Sequence, residues 1–356
     1  KYRKIPYLQL KLTRVNNYVS WFTNPYGNSP HIVNVFNDFL IKGSKKNKLT
    51  YKEAEEFIKS SQNSNLIYEG AIQKNNTKNN LSNSPKSNLI KKLKIKIKNI
   101  INNFFIKDSH YPGIFRTFFE IKILRIFRKL LLRNIFDIYD SQDFVKNNKY
   151  KYAFFPLNTE PEVALLAYGR PYRNQIETVR NLASSIPVGW KLIVKEHPNS
   201  FGYRKSSYYK KLKQIPNILI ASNNCNTNLL IKYSSLVSIV YGTIGLEAIL
   251  MRKPLITFCD IPYSIFSKKM VIHSENPWEL QRDIKKLIKN YKFEKKQLVS
   301  YFAAHIECSE RINLFTDLLN KKSRHKTKNN ISLSLQYKNL ATYTSQRIFE
   351  EIKRIH

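Results

Sequence analysis

Residues 235–260 read SLVSIVYGTIGLEAILMRKPLITFCD. Two short apolar runs in this stretch, SLVSIV and PLITF, are rich in β-branched residues and are typical of buried strands. Between them, a turn that contains glycine leads into GLEAIL, whose composition favours a helix. A strand, a helix and a second strand in this order predict a βαβ unit, in which the two strands are parallel.

The same alternation runs from residue 151 to about residue 260. Apolar runs predict three earlier strands, YAFFPL, KLIVKEHP and NILIAS (152–157, 191–198 and 217–222). Helical patterns separate or follow them at 174–185, 206–215 and 227–233. We therefore predict an α/β fold whose C-terminal part is a Rossmann-like, doubly wound parallel sheet. Later segments at 278–291, 293–304 and 342–355 are predicted to be helical.

The first 150 residues show few strand-like runs, and their clearest element is a helical pattern at 49–60. We therefore expect a mainly helical N-terminal region, and because the sequence begins with Lys1 rather than Met, we expect this region to be truncated. The predicted domains are a remnant of an N-terminal acceptor-side domain, a basic linker with amphipathic helices, a nucleotide-sugar-binding Rossmann-like domain and a C-terminal helix (1–72, 73–150, 151–330 and 331–356).

The composition limits the class of protein. The chain is 42% hydrophobic, which is enough to bury a core and excludes wholesale disorder. Its 61 Lys and Arg against 25 Asp and Glu give a net charge of +36, which attracts phosphate, anionic lipid or acidic polysaccharide. Frequent Lys, Asn and Ile throughout the chain account for part of this excess. Three scattered cysteines predict neither a disulfide framework nor a zinc site and fit a reducing cytosol.

A basic segment at 91–133 interleaves cations with Phe, Ile and Leu, and Lys122, Arg125, Lys129 and Arg133 recur there at helical spacing. Two interpretations stay open. The helix binds anionic lipid headgroups at a membrane surface, or it packs between domains with a solvated polar face. Nucleic acid is the less favoured partner, because no RNA-binding aromatic signature or zinc-finger spacing accompanies the cations.

Chemically useful residues follow three of the predicted strands, where ligands bind in open parallel sheets. The turn after SLVSIV offers backbone N–H groups to a phosphate, and the carboxylate of Glu247 can accept hydrogen bonds from ribose hydroxyls. The run KLIV is followed by the ammonium group of Lys195 and the imidazole of His197. The alternative is that Lys195 and Glu196 form a solvated pair at the end of the strand. The residues that predict a nucleotide or nucleotide-sugar site are Glu160, Glu162, Lys195, His197, Pro198, Tyr241, Gly242, Thr243, Gly245 and Glu247.

Four motifs in this order resemble the capsule polysaccharide biosynthesis proteins, a group that includes bacterial Kdo transferases: KYAFFPLNTEPE, GWKLIVKEHP, YYKKLKQIPNILIA and YGTIGLEAILMRKPLITF. The resemblance covers roughly 150–320 and implies a GT-B-like glycosyltransferase. His197 and Pro198 match an HP motif that, in the more distantly similar sialyltransferases, contacts the CMP part of the donor. Thr243, Gly245 and Glu247 match the nucleotide-binding turn and helix.

The resemblance implies transfer of a sugar, expected to be Kdo from CMP-Kdo, to a lipid or polysaccharide acceptor. We expect Glu160, Glu162 and His197 to be catalytic, Glu162 having the alternative role of complementing a helix dipole. No DxD run is present in 151–330, so we expect no metal or cofactor. The expected location is cytoplasmic, on the inner face of the cytoplasmic membrane. Alternatives are a UDP-sugar or polyol-phosphate transferase, a non-catalytic capsule-glycan-binding or export-associated protein, and a nucleic-acid-binding protein.

Overall fold

The computed structural model describes residues 7–24, 29–62, 123–132, 134–318 and 332–355. Its strands are β1 Gln9–Leu12, β2 Tyr18–Phe22, β3 Tyr152–Pro156, β4 Lys191–Lys195, β5 Ile218–Ala221, β6 Leu236–Ile239, β7 Leu255–Thr257, β8 Val271–His273 and β9 Glu310–Arg311. Its α-helices are α1 Pro30–Lys42, α2 Lys48–Gln62, α3 Arg125–Leu131, α4 Ser141–Asn147, α5 Gln175–Ser185, α6 Ser206–Lys213, α7 Thr227–Tyr233, α8 Ile244–Leu250, α9 Leu280–Asn290, α10 Lys295–Glu307 and α11 Leu333–Ile355.

The main sheet has six parallel strands in the order β5-β4-β3-β6-β7-β8. Counted along the chain from β3, this is the 3-2-1-4-5-6 order of the Rossmann fold, so the predicted fold class is confirmed. The sheet is buried because its strands are almost wholly apolar, as at Phe154, Phe155 and Val194. One strand was not predicted: β8 lies beyond residue 260 and is only three residues long.

Strand order also determines where a ligand can bind. β3 pairs with β4 on one side and with β6 on the other, so the chain order reverses between β3 and β6. A crevice opens outside the carboxyl ends of such strands. In this protein the crevice is framed by Asn158, which follows β3, and Tyr241, which follows β6. The Asn158 Nδ2 group donates a hydrogen bond to the Tyr241 carbonyl oxygen at 2.7 Å.

The N-terminal part contains strands that the sequence pattern did not predict. β1 and β2 form an antiparallel hairpin, and β9 pairs with the outer edge of β2. Helices α1 and α2 pack against α10. A lone hairpin is only marginally stable, so this small sheet depends on a strand that comes from residue 310. Consequently α10 and β9, which the sequence places near the end of 151–330, pack with the N-terminal elements.

The predicted helices are present in the described residues with shifted ends. The segment at 49–60 lies within α2, those at 278–291 and 293–304 correspond to α9 and α10, and the C-terminal helix α11 begins earlier than predicted, at Leu333. Residues 73–122 of the predicted basic linker lie outside the described residues. No described helix is long and apolar enough to cross a bilayer.

The described part of the basic segment differs from both sequence interpretations. Each interpretation directed the cations outward, but in α3 they contact the protein. Arg125 Nε donates to the Phe201 carbonyl oxygen at 3.1 Å, and Lys129 Nζ lies 5.8 Å from the centre of the Phe201 ring. The exposed side chains of α3 are apolar instead, with Ile126 61% and Leu130 57% exposed. Residues 91–122, which include Lys122, and Arg133 lie outside the described residues.

Candidate functional site

A cleft of about 390 Å³ lies between the Rossmann sheet and the N-terminal elements. The Rossmann side contributes the loops after β6 and β7, and the opposite side is formed by β1, β2 and α10. The lining residues that matter for chemistry are Lys11, Arg14, Tyr168, Tyr241, Gly242, Thr243, Tyr263, Tyr301 and His305. The cleft therefore opens at the switch point of the sheet, between two structural units, as a GT-B-like site requires.

Three of the predicted turn residues, Tyr241, Gly242 and Thr243, line this cleft. Gly242 has φ of 137°, a backbone conformation that a side chain would strain, so glycine is required there. Gly245, the fourth predicted turn residue, is buried instead. A Cβ atom at this position would come within 2.6 Å of Ile239 Cδ1, so Gly245 allows α8 to pack closely on the sheet.

Two cations on the opposite wall, Lys11 and Arg14, were not predicted to belong to the site. Lys11 Nζ lies 5.6 Å from the centre of the Tyr168 ring. Burial and the neighbouring charge of Arg14 lower the pKa of Lys11. Mutual repulsion of two cations in a partly buried cleft is relieved by an anionic ligand such as phosphate. The sequence gives no local signal for this pair, because Lys11 and Arg14 are only two of its 61 basic residues.

A buried polar network holds the carboxyl edge of the sheet beneath the cleft. Glu196 is fully buried, and Arg204 Nη1 contacts both of its carboxylate oxygens at 2.5 Å. The other terminal guanidinium nitrogen, Arg204 Nη2, donates to the Asn158 carbonyl oxygen at 2.6 Å and lies 3.3 Å from Glu160 Oε1. Since the Asn158 side chain binds the Tyr241 backbone, the ion pair supports the turn that lines the cleft. The solvated Lys195–Glu196 pair considered above is therefore wrong.

The predicted carboxylates Glu160 and Glu162 line a second groove, of about 710 Å³. Glu160 also accepts a hydrogen bond from Gln175 Nε2 in addition to its contact with Arg204, so its carboxylate is held in place. Burial raises the pKa of Glu162, and a hydrogen bond from the Thr159 backbone opposes this shift. The segment at 160–168 joins the two sites, because Tyr168 at its other end lines the first cleft.

The residues after β4 do not reach either of these two openings. Lys195 is only 3% exposed, and its Nζ atom donates to the Asn223 carbonyl oxygen at 3.2 Å. Neither His197 nor Pro198 is among the described residues that line the cleft or the groove. β4 and β6 flank β3, so the ends of these two strands lie at the same edge of the sheet but about 10 Å apart. Neither of these two openings brings the imidazole and the turn together, so their shared pocket stays a prediction.

Glu247 lies on α8 and also does not line the cleft. Desolvation raises the pKa of its carboxyl group to about 7, and no ion pair with it is found in the described part of the chain. Among the described residues, no three His, Cys, Asp or Glu side chains lie close enough together to hold a metal ion.

Replacing Glu247 with glutamine is expected to stabilise the protein more at pH 8 than at pH 4.5. The pKa of this carboxyl is about 7 in the folded protein against an ordinary value of 4.5. Unfolding therefore releases a proton between these values, and the wild type loses stability as the pH rises through this window. The variant should avoid a loss of about 3 kcal/mol. Urea unfolding of both proteins at several pH values measures the difference, and a constant difference from pH 4.5 to 8 would contradict the assignment.

Comparison with known proteins gives a family for the chain. The family model described as capsule polysaccharide biosynthesis protein matches residues 62–301. A search of curated proteins finds no match. The Thermosulfurimonas dismutans KpsC structure, a beta Kdo 2,4 transferase, has 13% identity and a TM-score of 0.39 and covers 85% of this chain and 72% of that chain.

Two further solved structures contain nucleotides. The Methanocaldococcus jannaschii UDP-GlcNAc 2-epimerase with UDP-GlcNAc and UDP has 15% identity and a TM-score of 0.33, and covers 53% of this chain and 51% of that chain. The S. aureus MnaA–UDP structure has 14% identity and a TM-score of 0.31, with the same shares. The chain thus spans about half the length of these two proteins. Because the family model matches more than half of the chain, the protein belongs to the capsule polysaccharide biosynthesis protein family.

Proposed function

We propose that this protein is a GT-B-type glycosyltransferase of capsular or surface polysaccharide synthesis. Its donor is a nucleotide sugar, which we take to be CMP-Kdo, and its acceptor is a lipid or a polysaccharide. The observation that carries the proposal is the cleft at the switch point, where Lys11 and Arg14 face the turn at 241–243. A negatively charged nucleotide fits between these walls, because cations and backbone amides both favour phosphate.

Transfer requires that negative charge on the departing nucleotide be stabilised. In the proposed reaction the acceptor hydroxyl oxygen bonds to the anomeric carbon while the bond from that carbon to the phosphate oxygen breaks. The bonding electron pair stays on the phosphate, and Lys11 and Arg14 stabilise it. No step in this scheme requires a metal ion.

The hydroxyl proton needs a base, and the groove next to the cleft offers two carboxylates. Glu162 suits this role because burial raises the pKa of its carboxyl and makes it a better proton acceptor. Glu160 is held by Arg204 and Gln175, so we assign it to orienting the acceptor. His197, which lies outside both openings, is left with a supporting role near the donor.

We also propose that the protein works on the cytoplasmic face of the membrane, where a lipid-linked acceptor is found. The basic residues of 91–122, which precede the described part of this segment, would bind anionic lipids there. This association rests on the sequence pattern and on the exposed apolar side chains of α3, such as Ile126 and Leu130.

A thermal-shift panel tests the donor class. CMP, CDP, UDP and GDP are added at equal concentrations, with cytidine as the control that lacks phosphate. We expect CMP to raise Tm by about 5 °C at saturation and cytidine to have little effect. A larger shift with UDP would replace CMP-Kdo by a UDP-sugar donor. Salt-dependent DNA binding without any nucleotide shift would instead support the nucleic-acid alternative.

A further inference from the structure

His305 is a buried histidine to which the reaction described above assigns no role. It lies on α10, is 2% exposed and lines the cleft. Its Nδ1 atom is buried and has no hydrogen-bond partner among the described residues. A buried polar atom without a hydrogen-bond partner is costly. This cost limits which ring nitrogen carries the proton and which one can donate to a ligand.

The surroundings of His305 keep its imidazole uncharged. The ring centre lies 4.4 Å from that of Tyr301 and 6.2 Å from that of Phe22. Desolvation lowers the pKa of His305 to about 4, so the ring is neutral at physiological pH. A neutral imidazole complements an uncharged polar group, whereas phosphate is better matched by the Lys11 and Arg14 cations.

The neutral ring carries one proton, which can lie on either nitrogen. A proton on Nδ1 would be a buried donor without an acceptor in the described structure. Unsatisfied acceptors are tolerated better than unsatisfied donors, so the proton is favoured on Nε2. Nε2 is then the donor that His305 can offer to a ligand in the cleft.

The aromatic part of the cleft suits a planar group. Tyr168 and Tyr241 lie with their ring centres 4.8 Å apart, and Tyr263 and Tyr301 with theirs 6.4 Å apart. All four residues line the cleft together with His305. Aromatic rings provide stacking surfaces for a nucleobase, and a pyrimidine base carries a ring carbonyl oxygen that accepts hydrogen bonds.

We propose that His305 binds the nucleobase of the donor nucleotide, its Nε2–H donating to a carbonyl oxygen of a pyrimidine, while Lys11 and Arg14 bind the phosphate. The proposal rests on the proposed function, since it divides the same cleft into a base part and a phosphate part. His305 is then a specificity residue rather than an acid or a base.

The test compares CMP with inorganic pyrophosphate, which carries phosphate but no base, by isothermal titration. His305→Phe should weaken CMP binding by about tenfold and leave pyrophosphate binding unchanged. His305→Gln, which retains an N–H donor, should restore part of the CMP affinity. His31→Phe is the matched control, because both His31 ring nitrogens also lack partners in the described structure and His31 does not line the cleft.

Equal losses for CMP and pyrophosphate in His305→Phe would show a structural role and overturn the proposal, as would unchanged binding of both. If the wild type binds CMP but His305→Phe does not change the difference in affinity between CMP and pyrophosphate, the proposed function stands and the proposed role of His305 is wrong. If the wild type binds neither ligand, the proposed function fails together with this inference.

Discussion

Replacing Arg204 with methionine is expected to lower the free energy of unfolding by about 3–5 kcal/mol, because it removes one partner of a buried ion pair. The Glu196 side chain is 0% exposed and that of Arg204 is 7% exposed. Without the guanidinium, the Glu196 carboxylate would stay buried with only the Tyr209 hydroxyl, at 2.6 Å, and its neighbouring backbone as donors. The Asn158 carbonyl oxygen would lose its donor as well.

Urea unfolding followed by circular dichroism measures this loss. Arg180→Met is the control, because its pair with Glu177 is exposed, at 56% and 52%, and such pairs contribute about 0.5 kcal/mol or less. Adding Glu196→Gln to Arg204→Met removes the buried charge and should recover part of the stability. A loss under 1 kcal/mol for Arg204→Met, similar to that of the control, would show that the network does not stabilise the fold.

Replacing Arg14 with methionine is expected to reduce the rate constant of sugar transfer by about 100-fold, with little change in Tm. Arg14 lines the cleft opposite the turn at 241–243, and its charge acts on Tyr241 across the cleft. The charge that develops on the departing phosphate is larger in the transition state than in the bound donor. A fixed cation therefore raises kcat more than it tightens donor binding.

Single-turnover transfer from CMP-Kdo to a lipid-linked glycan, with Tm measured in parallel, tests this prediction. Arg180→Met again serves as the control, since it removes the same charge from an exposed site. An Arg14→Met protein that transfers sugar at the rate of the wild type would remove Arg14 from the reaction. A large fall in Tm would attribute the loss to folding instead.

The strands and helices of the Rossmann part could be predicted because each depends on a local pattern. The apolar run at 152–157 and the helical pattern at 227–233 contain their own signals, and most residues of the central strands β3 and β6 are buried. β8 and β1 were missed because they are short and gain stability from neighbours rather than from composition. The turn at 241–243 was identified because glycine placement after a strand is a local signal as well.

The amino-acid sequence by itself determined the parallel sheet, the position of its carboxyl edge and the turn that borders the cleft. Only the tertiary structure decided which side chains share that cleft. Lys11 and His305 both line it because β1 pairs with β2, which packs against α10. His197, equally close to a strand end, is excluded from the cleft because β3 separates β4 from β6. Such contacts join residues hundreds of positions apart, and neither periodicity nor spacing contains information about them.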